Sequence, residues 1–209
     1  MSAAPALLPY GDRAVLVELG STEAAVDYAV ALRDRDTLLV DEVVPAARTV
    51  LVVAAEGTAL ADLRALLADV APASAGAAAT DQPVVEVAVT YDGEDLADVA
   101  RLTGLSEREV VAAHTGQEWR VAFGGFAPGF GYLIGEDERL HVPRRGESRT
   151  RVPAGAVGLA GEYSGIYPRS SPGGWQLIGR TDVTLWDLDR DPPALLAPGT
   201  RVRFVEVGR

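Results

Sequence analysis

The 209-residue sequence predicts an α+β protein in two parts: a small α+β N-terminal domain over residues 1–80 and a β-barrel or sandwich over residues 84–209. Three observations carry that reading. Apolar periodicity gives the order strand, helix, strand, strand, helix before residue 71, as expected of helices laid on one face of a sheet. The stretch APASAGAAATDQP (71–83) is poor in large apolar residues and bounded by prolines, and reads as a linker. Beyond Glu118 helical periodicity stops, and thirteen of the 22 glycines lie between Gly124 and Gly179, so short strands and tight turns must build this part.

In chain order, Arg13–Leu19 (RAVLVEL) alternates apolar and polar side chains, which predicts a strand. Thr22–Arg35 places apolar residues at 25, 26, 29, 30 and 32, an amphipathic helix started by Ser21 or Thr22. Leu38–Val44 and Thr49–Ala54 read as strands separated by Pro45, and Ala59–Val70 as a second helix with Thr58 as its cap. After the linker, Val84–Thr90 is a strand and short helices run from about Glu94 to Leu102 and from Glu107 to His114. The second of these opens with Ser106-x-x-Glu109, a capping box. Asp191–Gly199 (DPPALLAPG) is a rigid loop before a last strand, Arg201–Val207.

Composition narrows the function classes. The formal net charge is -11, so a nucleic-acid backbone is repelled and no nucleic-acid partner is expected. All 19 basic residues are arginine, which removes the P-loop lysine and the Schiff-base amine. With no cysteine there is no disulfide framework, thiolate nucleophile or cysteine metal site, in keeping with a cytoplasmic location. No run is apolar enough to span a bilayer, and MSAAPALLPYGDR lacks a basic then apolar leader, so neither membrane nor signal peptide is expected.

The densest chemistry lies in GFAPGFGYL (125–133). Gly129-x-Gly131 has the wrong onward spacing for a dinucleotide fingerprint, and no helix pattern follows it. Pro128-Gly129 is a turn signal, and the glycine amides leave open either a structural turn or an anion-binding nest. Arg139, Arg144, Arg145, Arg149 and Arg151 fall within thirteen residues, either as carboxylate or phosphate ligands or as partners of Glu136, Asp137, Glu138 and Glu147. His114 and His141 have no metal-ligand spacing, so no metal site is expected. His114 is a candidate general base or a residue favoured by the helix end. No Gly-x-Ser-x-Gly elbow is present, and Ser170–Trp175 (SSPGGW) reads as a turn whose hydroxyls and amides can face an anion.

Read together, His114-Thr115, GGFAPGFGYL, Pro143-Arg144-Arg145, VPAGAVGLAG (152–161), GIYP (165–168) and SPGGWQLIGRT (171–181) resemble one family, from YGDRAVLVELG (10–20) to PGTRVRFVEV (198–207). It is the family of the 5-oxoprolinase B subunit, also labelled allophanate hydrolase subunit 1 and including the KipI-type histidine-kinase inhibitors. The chain departs from the family pattern with Tyr163-Ser164 in place of Gln-Thr, Ser148 in place of proline, Asp182 in place of proline and Glu136 in place of leucine.

The resemblance implies a cyclophilin-like β-barrel as the second domain. It implies a subunit, inactive alone, that works with C-type and A-type 5-oxoprolinase subunits to open the 5-oxo-L-proline lactam to L-glutamate. ATP would be bound by the complex, whether on this chain or on a partner. Two other activities are open to the family: inhibition of a sensor histidine kinase, and service in an allophanate- or urea-type carboxyl-transfer or hydrolase system. On this reading His114 is the catalytic candidate. The substrate- or anion-binding candidates are Gly125, Phe126, Pro128, Gly129 and Tyr132 from the first block, Arg144, Arg145 and Arg151 from the basic segment, and Tyr167, Ser171, Gly173 and Arg180 from the last two blocks.

Overall fold

The structure, a computed structural model, describes residues 5–35, 37–70 and 84–208. The expected linker at 71–83 lies outside the described residues. The chain divides into two compact units, Met1–Asp81 and Gln82–Arg209.

In the first unit, β1 (Ala6–Tyr10), β2 (Ala14–Glu18), β3 (Val40–Pro45) and β4 (Thr49–Ala54) form an antiparallel sheet in the order β1-β2-β4-β3. The helices α1 (Thr22–Arg33) and α2 (Leu60–Ala68) supply Tyr28, Leu32, Leu63 and Leu67 to a core shared with Val15 and Val50. A side chain of this size gains about 1.5–3 kcal/mol on full burial. Tyr28 donates its hydroxyl proton to Leu67 O at 2.7 Å and so ties the two helices together.

Local chemistry explains most of the boundaries here. Ser21 caps α1 by accepting from Ala24 N at 3.2 Å. At α2 the cap position is Ala59, without a side-chain bond, so Thr58 does not fill the role expected of it. Pro45 closes β3 rather than separating two strands. Periodicity does not foresee the edge strand β1, because ALLPY is short, mostly exposed and interrupted by a proline that an edge strand tolerates.

The second unit begins with β5 (Val85–Val89), α3 (Leu96–Thr103) and α4 (Glu107–Thr115). β6 (Trp119–Gly124), β7 (Gly131–Ile134), β8 (Arg149–Val152), β9 (Ala156–Ala160) and β10 (Tyr163–Ile166) follow, then β11 (Ser171–Gly173), β12 (Gln176–Arg180) and β13 (Arg201–Glu206). Seven strands form one sheet in the order β12-β9-β10-β7-β6-β13-β5. Paired bonds of 2.9 Å between Thr90 and Arg180 bring its two edges together, giving a nearly closed barrel. The mixed α+β fold with a barrel is the architecture that the resemblance implies.

The barrel is filled by side chains from alternate strand positions, among them Val87, Val121, Leu133, Leu159, Ile178 and Phe204, none more than 1% exposed. The capping box at α4 is present: Glu109 N donates to Ser106 Oγ at 3.3 Å and Ser106 N to Glu109 Oε2 at 2.8 Å. α3 begins at Leu96, two residues later than expected, with Asp95 at its cap position. β8 and β11 form a separate two-stranded ribbon.

Candidate functional site

Five of the six sequence blocks meet in the second unit. The turn between β6 and β7 places Phe130 against Tyr167, ring centroids 5.6 Å apart, and against Trp175 at 5.4 Å. Tyr132 stacks on Phe123 at 4.5 Å and meets Trp175 at 5.6 Å. Tyr167 and Trp175 are 2% and 4% exposed and share an apolar cluster with Val152, Ala156 and Ala160 of the VPAGAVGLAG block. Edge-on aromatic contacts of this kind add about 0.5–1.5 kcal/mol each beyond burial.

The basic segment is stitched to the same place by its backbone: Arg145 N donates to Gly174 O at 2.8 Å, and Gln176 Nε2 to Pro143 O at 3.2 Å. Tyr163, one of the departures from the expected pattern, makes T-shaped contacts with Tyr132 at 5.5 Å and Phe123 at 5.7 Å, so it extends the aromatic cluster.

Two glycines are required by this geometry. Gly129 holds a φ of +83°, and a Cβ there would come within 3.0 Å of Trp186 Cβ. At Gly173 a Cβ would overlap Tyr167 Oη, so any larger residue drives the phenol out of place. Burial raises the Tyr167 pKa, against the lowering effects of the Trp175 backbone hydrogen bond and the Arg144 charge.

Phe126 is the one described non-glycine residue with a left-handed φ, +63°. Ala127 N donates to Gly125 O across it at 2.6 Å, a γ-turn of the uncommon hand, which is strained by about 1–3 kcal/mol for a non-glycine residue. The residue is 55% exposed, and its ring lies in T-shaped contact with Phe130 and Tyr167, centroids 5.3 and 6.1 Å away. Gly125 N donates to Phe130 O at 3.2 Å and Phe130 N to Ala127 O at 3.0 Å, closing the turn around Pro128. Among the described residues, the amides of Phe126 and Gly129 donate to no protein acceptor.

The arginines separate into neutralised and free groups. Arg145 Nη1 and Arg149 Nη2 both donate to Asp95 Oδ1, the latter at 2.8 Å, and Leu177 N donates to Asp95 Oδ2 at 2.7 Å. Arg149 also reaches Glu94 Oε2 at 3.1 Å. Burial pushes the Asp95 carboxyl up, but the Arg149 hydrogen bond, the Leu177 amide and the charges of Arg149 and Arg145 together hold it below the usual carboxylate range.

Arg144 is exposed and has no carboxylate partner among the described residues. Arg151 Nε donates to Ser170 Oγ at 3.2 Å. Ser171 lies opposite Val152 on the β8–β11 ribbon, buried, and its Oγ has no protein partner among the described residues.

Two sequence candidates are not brought into this group. Arg180 pairs with Asp92 Oδ2 at 3.0 Å and lines a cleft of about 350 Å³ with Glu86, Thr90 and Asp182, which no ring of the aromatic cluster borders. His114 is fully enclosed, its ring 4.3 Å from Phe204 and 5.0 Å from Trp119. Its Nδ1 bonds the Tyr91 hydroxyl at 2.7 Å and its Nε2 the Ser164 hydroxyl at 2.8 Å. Burial lowers its pKa to about 3, so the ring is neutral near pH 7. That is the setting of a core residue stapling α4 to the barrel, with both ring nitrogens already bonded to hydroxyls. Among the described residues, no three His, Asp or Glu side chains come together as a metal site.

Sequence reasoning missed Asp95, Tyr91 and Ser164. Asp95 was legible as an acidic residue just before an apolar helical pattern, but its partners lie about 50 and 80 residues away in sequence.

This is a two-unit protein whose barrel carries an aromatic and arginine cluster at its glycine-rich turns. Residues 5–196 match the family described as carboxyltransferase domain, subdomain C and D, and the chain belongs to that family. It is 53% identical over 124 residues to the 5-oxoprolinase B subunit of Escherichia coli O157:H7, a match covering 58% of this chain and 57% of that protein. With the 5-oxoprolinase B subunit of Bacillus subtilis (strain 168) it is 46% identical over 127 residues, 59% of this chain and 53% of that one. The matches thus span a little over half the length of these curated relatives. The crystal structure of TTHA0988 superposes with a TM-score of 0.76 at 37% identity, over 94% of this chain and 41% of that one.

Proposed function

We propose that this chain is a subunit, inactive alone, of an ATP-dependent 5-oxoprolinase complex that opens the lactam of 5-oxo-L-proline to L-glutamate. The observation that carries the reading is the convergence of the turn 125–130, Pro143–Arg145, Tyr167 and Gly173–Trp175 on one cluster, in a chain 53% identical over 124 residues to a 5-oxoprolinase B subunit.

The chemistry of lactam opening accounts for the residue types. An unstrained amide carbonyl is unreactive, and activating it with a phosphate group places negative charge on oxygen. Arg144, uncommitted to any carboxylate among the described residues, binds the substrate carboxylate or the phosphate. The free amides of Phe126 and Gly129 donate to oxygen. Tyr132, Tyr167 and Trp175 form the floor, and Asp95 holds Arg145 and Arg149 as a scaffold beside it. Arg151, Ser170 and Ser171 border the same ribbon and extend the polar wall. ATP belongs to the complex, with C-type and A-type 5-oxoprolinase subunits as partners and the cytoplasm as the place of work.

Co-expression with those two partners, followed by an assay of ATP hydrolysis dependent on 5-oxo-L-proline, tests this. Turnover that disappears when this chain is omitted supports it; no turnover with all three proteins folded and present contradicts it. The family description itself favours one second reading, carboxyl transfer. That reading requires a biotin-bearing partner, and copurification of a biotinylated protein with this chain separates the two.

A further inference from the structure

The turn at 125–130 has glycine on either side of the position that most needs it. Gly125 and Gly129 flank Phe126, yet the left-handed φ of +63° and the hydrogen bond across it fall on the phenylalanine. Glycine would adopt that backbone without strain, so the ring is kept against a local preference. It contributes little to the core, being 55% exposed and in T-shaped contact with Phe130 and Tyr167. A large apolar side chain left more than half exposed on a strained backbone is available to something outside the protein.

What lies beside it limits what that is. Tyr167 lies 6.1 Å from Phe126 and against Gly173, Arg144 directly precedes Arg145, whose amide donates to Gly174 O at 2.8 Å, and the amides of Phe126 and Gly129 have no protein acceptor among the described residues. A small cyclic anion satisfies all of these: its charge meets the guanidinium and amides, and the face of its ring packs under the phenyl ring.

We propose that Phe126 is the specificity-determining wall of the site, its ring covering the flat face of the substrate whose carboxylate Arg144 receives. This rests on the reading of the site as a 5-oxoproline site and adds the residue that selects a cyclic substrate.

The test uses the complex with both partner proteins. Phe126→Gly removes ring and strain together, Phe126→Ala removes the ring but keeps the strained backbone, and Leu188→Ala, at another exposed apolar side chain of the same unit, is the control. Expected are a melting temperature for Phe126→Gly at or above that of Phe126→Ala, and intact copurification of the complex. The KM for 5-oxo-L-proline should rise about tenfold in both Phe126 variants with the KM for ATP unchanged, as loss of one aromatic face implies. Leu188→Ala keeps the parent KM. An active complex whose KM is unmoved by Phe126→Gly overturns the proposal, and so does loss of copurification with KM unmoved, which makes Phe126 an anchor for a partner protein. A parent complex with no 5-oxoproline-dependent turnover removes the functional reading and this proposal with it.

Discussion

Asp95 and Arg149, 54 residues apart in sequence, meet with Arg149 Nη2 2.8 Å from Asp95 Oδ1, and only 2% of the Asp95 side chain is exposed. The same carboxylate binds Arg145 and the Leu177 amide, so one buried charge ties the start of α3 to the basic segment and to β12. Removing that charge leaves two guanidiniums facing a neutral amide. Asp95→Asn is expected to lower the unfolding free energy by about 2–4 kcal/mol, read from urea denaturation.

The division of the arginines sets a contrast within one short segment. Arg144→Ala touches no ion pair among the described residues and should leave stability within about 0.5 kcal/mol of the parent. In the assembled complex it should raise the KM for 5-oxo-L-proline roughly 10- to 100-fold, the worth of a charge-assisted hydrogen bond. Arg180→Ala breaks an exposed pair with Asp92, costing less than about 1 kcal/mol, and should leave the KM unchanged. Equal effects of the two substitutions on KM would contradict this division.

His114 gives the barrel unit a pH dependence with a definite sign. Its folded pKa, lowered by burial to about 3, lies below the ordinary 6.5, so the unfolded chain binds the proton first. The stability it contributes is complete above pH 6.5 and is lost as the pH falls toward 3. Between pH 6.5 and about 5, the unfolding free energy should fall with a slope approaching about 1.4 kcal/mol per unit. His114→Gln, which can still bond the Tyr91 and Ser164 hydroxyls, should flatten that slope; an unchanged slope would show that the ring is not held neutral.

Gly173→Ala tests the packing of the cluster. A Cβ overlapping Tyr167 Oη forces the phenol away, with an expected loss of about 1–3 kcal/mol and a change in near-ultraviolet circular dichroism from the displaced rings.

The fold was legible wherever a period or a cap spoke for itself. The Ser106–Glu109 box and the alternating RAVLVEL strand are local signals, and each sits where the sequence places it. β1 was not legible, because an exposed edge strand containing proline has neither alternation nor burial to announce it. The turn at Pro128-Gly129 was visible in residue types, but the left-handed residue proved to be Phe126 as well as Gly129, which no propensity would assign.

The candidate site was legible only as separate blocks. That Arg145 is committed to Asp95 while Arg144 is not depends on a contact 50 residues away in the chain. His114 looked chemically available because sequence alone cannot report that its ring is enclosed by Trp119, Phe204 and two hydroxyls.

The proposed role as an indispensable part of a lactam-opening complex is tested most directly by glutamate formation. Purified components are mixed with 5-oxo-L-proline and ATP, with and without this chain, and glutamate and ADP are measured together. Matched formation of both products is expected with the chain present and neither without it, with Arg144→Ala strongly impaired at low substrate. Glutamate formed at the same rate without the chain, or none formed by the complete folded set, would contradict it.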